Sequence, residues 1–362
     1  MQQLTRITAR GVIVVALCVL TAMFTLFACS GKGGNNPMPS TTNTQPPVVL
    51  NKDNTKIALL LCDAEMKSAS ARAAWLVLEK FNKETEIPIA WYMLPTPEDF
   101  QAKLPELIAD GYTIIITNNG MHTDAIKGAS QNLPQITFVA IEGNFAPKGE
   151  SLEQYPTLIE GTVRAEESAF LAGYLLAKRS ETGKIGMING TQNPPGLQMQ
   201  AGFEAGVAYA SAEMGKEITP QIIYVGNGYN RTGGKEKATE LYEDGCDILY
   251  FCAGGETDWG AIDAAKTQGK YCVTAGHTAY IAPGNVVGEV LKAKDPVLTS
   301  ILAGLLDGTL KGGQVLDHGL NDQSAGFVKT ALSDSYFGAE LLAELDGVAA
   351  KIQSGEIQIK NH

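Results

Sequence analysis

From Lys56 onward the apolar positions recur in a fixed order: a short run, a turn, then a stretch where apolar residues return every three or four positions. The runs KIALLLC, IPIAWYM, YTIIIT, ITFVAIE, KIGMIN, QIIYVG, DILYFCA and YCVTA read as strands. SASARAAWLVLEKFNKE, TPEDFQAKLPELIADG, NPPGLQMQAGFEAGVAYASAEMG, GKEKATELYEDG and GAIDAAKTQG have the amphipathic period of helices. Continuous Val/Ile/Leu strands alternating with helices predict parallel sheets covered on both faces, a doubly wound α/β fold. Asp110-Gly111, Gly215, Asp244-Gly245 and Gly269 close several helices, as C-caps do. In such sheets ligands sit beyond the carboxyl ends of the strands. That rule singles out Asp63, Asn118 and Asn119, Glu142, Asn189, and Asn227 to Asn230 with Tyr229. It continues with Gly254, Gly255 and on to Trp259, then Gly276 with His277. Amides, hydroxyls, carboxylates and rings at these tips suit a polar neutral ligand held by hydrogen bonds and stacking.

The first 54 residues break the pattern. Arg6 and Arg10 precede an uncharged run from Gly11 to Ala28, which ends in Leu26-Phe27-Ala28-Cys29. A basic start, an apolar stretch and small residues before a cut site make a secretory signal over 1–28. The Leu-x-Ala-Cys ending resembles the lipobox of bacterial lipoproteins, which implies that Cys29 is acylated and begins the mature chain. The competing reading is a permanent anchor helix, because the run just reaches the lower limit for a span. Residues 29–54 are almost devoid of apolar side chains and are expected to be a flexible tether. Under both readings the body sits at the cell membrane, facing the extracytoplasmic side.

A chain of 362 residues exceeds what one hydrophobic core usually supports, so two lobes are expected. The 28 basic and 39 acidic residues give a net charge of −11, which argues against a nucleic-acid partner. Without 1–28 the balance is 26 against 39, so the lipid rather than the protein surface must hold the body to an anionic membrane. Cys62, Cys246, Cys252 and Cys272 have no CxxC spacing and no clustered His. They read as buried thiols or as one disulfide, and not as a metal site. No GxxxxGK[ST], GxSxG or HExxH occurs, and Gly226 to Arg231 has Arg where a dinucleotide loop needs its third glycine. No cofactor is called for.

EGTVRAEESAFLAGYLLAKRSETGKIG, MQAGFEAGV, IIYVGNGYNRTGGKEKATELYEDGCDILYFCAGG, APGNVVGEVLK and LLDGTLKGG, in that order, resemble the basic-membrane-protein family. These are purine-nucleoside-receptor-like substrate-binding lipoproteins of ABC importers. The resemblance runs from about Thr55 to Gly326. It implies a type I periplasmic-binding-protein fold, with two lobes joined by three crossings that close on a solute for delivery to a membrane permease. Lobe one is placed at 55–180 plus 276–310, and lobe two at 181–275 plus 311–355.

The resemblance also implies roles for single residues. Asp63 matches the family's Asp that reads the purine edge. The family's stacking Phe falls in a segment that here reads Ala69-Ser70-Ala71, so Ser70 replaces the ring. Tyr229 is the aromatic from lobe two, in a loop shifted by one position. The family's ribose-clamping Asp falls where this chain has Thr274-Ala275-Gly276-His277-Thr278, leaving Gly276 at the clamp and His277 as a partial substitute or a solvated side chain. Lys292 matches the family's lysine near the pocket. The loop Gly254 to Trp259 is one residue longer than usual, and Trp259 is either a stacking surface or a packing residue. Two changed anchors leave the scaffold intact but unsettle the ligand's identity. The leading expectation is a capture protein for an ABC permease. A ligand-sensing lipoprotein and an extracytoplasmic nucleoside-processing enzyme are the alternatives.

Overall fold

A buried parallel strand, β1 (Ile57–Leu61), opens a succession that then repeats. It continues through α1 (Ala69–Thr85), β2 (Ile89–Met93), α2 (Pro97–Ala109), β3 (Ile114–Thr117), α3 (Thr123–Asn132), β4 (Thr137–Ile141) and β5 (Leu158–Val163). The repeat begins with α4 (Ala165–Arg179), β6 (Ile185–Asn189), α5 (Pro194–Met214), β7 (Gln221–Tyr224) and α6 (Arg231–Glu243). It ends with β8 (Ile248–Cys252), α7 (Gly255–Gln268), β9 (Tyr271–Ala275) and β10 (Val286–Lys292). Then come α8 (Asp295–Leu306), β11 (Gln314–His318), β12 (Ala325–Lys329), α9 (Ser333–Phe337) and α10 (Ala339–Gln353). The computed structural model describes residues 50–62, 69–118, 120–145, 151–276 and 278–360. The signal segment, Cys29, the tether to residue 49, Asp63, Asn119 and His277 lie outside the described residues.

The strands form two six-stranded sheets, ordered β11-β5-β4-β3-β1-β2 and β12-β10-β9-β8-β6-β7. The order is the same twice, and every pairing is parallel except β10 with β12. The chain passes between sheets after β5, after β10 and after β11, giving the three crossings of a type I periplasmic-binding-protein fold. Strand pairing draws the lobes differently from the sequence reading. Residues 286–292, expected in lobe one, pair with β9 and β12 in the second sheet. Residues 314–318, expected in lobe two, pair with β5 in the first. Helix α4, expected in lobe one, packs on α5, β10 and β12. The exchanged strands settle this, because a strand belongs to the sheet that satisfies its backbone. At the other end Leu50 is buried and Asn51 organises a turn, so the last five residues assigned to the tether belong to the body.

Small residues govern how closely the helices approach. A Cβ on Gly173, Gly202 or Gly206 would overlap backbone atoms of the facing helix, and this lets α4 and α5 pack backbone to backbone. Gly234 and Gly260 do the same between α6 and α7. The crossings are tied around the start of α4. Arg164 donates to Glu167 (2.6 Å) and to the Asp317 carbonyl (2.8 Å), and Glu167 accepts the Leu320 amide (2.7 Å). Ser168 donates to the Leu291 carbonyl (2.6 Å) and accepts the Gly326 amide (2.8 Å). Among the described residues no helix is long and apolar enough to cross a membrane.

Candidate functional site

Strand order reverses beside β1 in the first sheet and beside β6 in the second, and these switch points open at the strand carboxyl ends. In the first lobe Asn118 follows β3. Its Nδ2 donates to Ser70 O (3.1 Å) and Ser70 Oγ (2.9 Å) in the first turn of α1. Its buried Oδ1 has no hydrogen-bond partner among the described residues. Its carbonyl accepts from Lys294 Nζ at 3.1 Å, which brings the second crossing against the β3 tip. Behind it, Cys62 Sγ and His122 Nε2 lie 3.3 Å apart, joining the ends of β1 and β3. Burial holds the His122 imidazole below its ordinary pKa, against a smaller opposing effect of the Leu94 backbone.

Glu142 follows β4 with φ +60°, a conformation that strains a non-glycine residue. Its Oε1 accepts the Val163 amide (2.7 Å) at the first crossing, and its Oε2 pairs with Lys292 Nζ. Burial works against this carboxylate, but Lys292 and Lys294 outweigh it and hold the pKa below the ordinary range. Both oxygens are thus engaged inside the protein, in a cross-tie between a lobe-one tip and the last residue of β10. Glu142 and Lys292 meet each other.

In the second lobe two loops are laced together. Thr257 Oγ1 donates to the Asn227 carbonyl (2.8 Å) and accepts the Asn230 amide (3.0 Å), while the Thr257 amide reaches the Gly228 carbonyl (3.1 Å). Asn230 caps α6 by accepting the Gly233 amide (2.9 Å). Gly254 and Gly255 take positive φ of 85° and 50°, so the loop bends where L side chains fit poorly. Asp258, one turn into α7, reaches back to accept the Ala253 (2.9 Å) and Gly254 (3.0 Å) amides. Full burial pushes its carboxyl up to about 7. Tyr229 is 79% exposed, Trp259 is half-buried on α7, and Gly276 is exposed.

Sequence reading passed over Thr257 and Asp258 as lacing residues. It also missed Lys294, and the buried Glu160 and Glu289 inside β5 and β10. A charge within an otherwise apolar segment, as in LIEGTV and VVGEVLK, was the available signal. All four described cysteines are thiols rather than disulfides. Burial raises the pKa of Cys246 (to about 11) and of Cys252 and Cys272, which keeps them protonated. A groove of ≈ 590 Å³ between α6 and α7 is lined by charged side chains, including the Arg231–Asp263 pair, with Thr232 and Thr239, and none of the strand-tip candidates lines it.

Two largely parallel sheets, crossed three times by the chain and tied together where β3, β4 and β10 end, make a type I periplasmic-binding-protein fold. Its solved likenesses include ABC-transporter solute-binding proteins from Aeropyrum pernix (TM-score 0.72, 17% identity, 85% of this chain and 94% of that one) and Conexibacter woesei (0.67, 18%, 85% and 99%). At these identities the likeness is one of fold. Residues 55–362 match the family model "Bmp: ABC transporter substrate-binding protein PnrA-like". The chain is 29% identical to basic membrane protein A1 of Borrelia garinii subsp. bavariensis over 346 residues (94% of each chain). It is 28% identical to basic membrane protein A of Borreliella burgdorferi over 353 residues (96% of each). The chain belongs to the Bmp family of ABC-transporter substrate-binding proteins.

Proposed function

We propose that this protein is anchored through lipid on Cys29 at the extracytoplasmic face of the cell membrane. There it captures a nucleoside or related small polar solute between its lobes for an ABC permease. Nothing is converted; the solute is bound and released. The observation that supports this reading is that the carboxyl ends of β3 and β4 in the first lobe are tied to the end of β10 in the second through Lys294–Asn118 and Glu142–Lys292. A ligand drives closure only through contacts it makes with both halves together. Asp63, Ser70, Asn118 and Asn119 are proposed to meet the solute from the first lobe. Tyr229, Gly254, Gly255, Trp259, Gly276 and His277 are proposed to meet it from the second. Asn230, Glu142 and Lys292 shape the walls.

Ser70 and Gly276 stand where a ring and a carboxylate are expected in this family. Inosine and guanosine should therefore bind weakly relative to their binding by other family members. A charge-assisted hydrogen bond contributes roughly 1.5–3 kcal/mol, so losing one is enough to redirect specificity.

The deciding experiment is mass spectrometry of small molecules released on denaturing the purified protein, followed by calorimetry with the compound found. A recovered, unaltered nucleoside supports the reading. A chemically converted one points to an enzyme instead, and nanomolar binding of inosine or guanosine removes the specificity argument. Asp63→Ala is expected to weaken binding at least about tenfold, or 1.4 kcal/mol; unchanged affinity takes Asp63 out of the site.

A further inference from the structure

The two lobes repeat each other down to single residues in one place. β4 and β9 are each followed by a residue in the left-handed region, Glu142 (φ +60°) and Gly276 (φ +90°). Each returns its amide to the adjacent strand, Glu142 to the Gly161 carbonyl (2.8 Å) and Gly276 to the Val290 carbonyl (3.3 Å). Opposite the penultimate residue of each strand stands a buried glutamate. Glu160 pairs in register with Ala140, and Glu289 with Thr274. Glu160 is 0% and Glu289 7% exposed. Oε1 of Glu160 accepts the Phe145 amide at 3.0 Å. Oε1 of Glu289 accepts the amides of Thr278 and Ala279, the latter at 2.7 Å.

An acidic side chain inside a sheet is costly unless hydrogen bonds replace its water, and here loop amides supply them. Both loops leave the carboxyl ends of their strands, where ligands sit in parallel sheets of this kind.

We propose that Glu160 and Glu289 are positioning residues for the solute cleft, one per lobe, each fixing the loop that follows the fourth strand of its sheet. This rests on the cleft being the solute site and deepens that reading. A loop ordered during folding spares the ligand the cost of ordering it, so affinity is gained mainly as slower release.

The test is hydrogen–deuterium exchange by mass spectrometry on the purified chain, comparing the native protein with Glu160→Ala, Glu289→Ala and Glu289→Gln. In Glu289→Ala, exchange in the 276–280 segment is expected to rise at least tenfold while 142–145 is unchanged. Glu160→Ala should show the reverse, and Glu289→Gln, which keeps an accepting oxygen and the side chain's shape, should be intermediate. Release of a bound nucleoside, chosen from adenosine, guanosine, cytidine and uridine by which one binds the native protein, should be at least tenfold faster in Glu289→Ala. Unchanged loop exchange overturns the proposal. So does a rise spread evenly through β9, β10 and the core, which marks a role in folding alone. If Glu289→Ala does not fold, native-like exchange and release in Glu289→Leu, should that variant fold, overturn it equally. Loop-confined exchange in a protein that binds none of the four nucleosides supports the assignment of the glutamates and refutes the nucleoside reading, so the two failures are separable.

Discussion

Glu142 shows how one residue can join chemistry to architecture. It bears a strained backbone, loses its water, and spends one oxygen on the Val163 amide and the other on Lys292. Glu142→Gln removes the counter-charge of Lys292. Breaking a buried pair costs roughly 3–5 kcal/mol, and the one-quarter exposure of the Lys292 side chain lowers the expected loss to about 2 kcal/mol. Urea denaturation at neutral pH measures it, and an unaltered midpoint would show the pair contributes nothing. The folded pKa of Glu142 is depressed, so its stabilisation is present above the ordinary glutamate value and is lost as pH falls through the folded one. The sequence placed Glu142 at a strand tip as a ligand contact. It did not reveal the partner, because Lys292 is 150 positions away and joins it only through the crossing of β10.

At the scale of elements, apolar periodicity was enough for strands whose residues are all hydrophobic, such as β1 and β8. It was not enough for β5, β10, β11 and β12. Glu160, Glu289 and Asp317, with nearby glycines, interrupt the apolar runs there, and only pairing reveals the strands. Helix contact gives a sharp contrast between two glycines. Gly206→Ala forces a methyl into the Phe170 backbone and should cost upward of about 2 kcal/mol. Gly347→Ala, inside α10 with nothing nearby, should instead stabilise by up to about 1 kcal/mol. Thermal melts of the two variants should move in opposite directions. At the start of α7 the sign is opposite to that of Glu142. Burial raises Asp258 from 3.8 to about 7, so its folded form favours the proton, and its contribution is full at low pH and lost as pH rises through 7. Asp258→Asn should flatten the decline in melting temperature between pH 5 and pH 8, and an unchanged slope would assign that decline to other groups.

For the whole molecule, the doubly wound class and the two lobes were legible from spacing and length. Which late strand completes which lobe was not, since β11 and β12 exchange places relative to chain order. Solute binding should shrink the radius of gyration measured by X-ray scattering, while a Gly254→Pro variant, whose backbone needs φ +85°, should lose that response. A native protein that binds its co-purified compound without any compaction would exclude closure as the consequence of binding.

The exchange of the last two strands also dictates an order of events in time. A ribosome delivering this chain releases residue 163 long before residue 314, yet the first sheet lacks its sixth strand until both are present. Neither sheet is complete until β11 and β12 have emerged, so both halves reach completion nearly together.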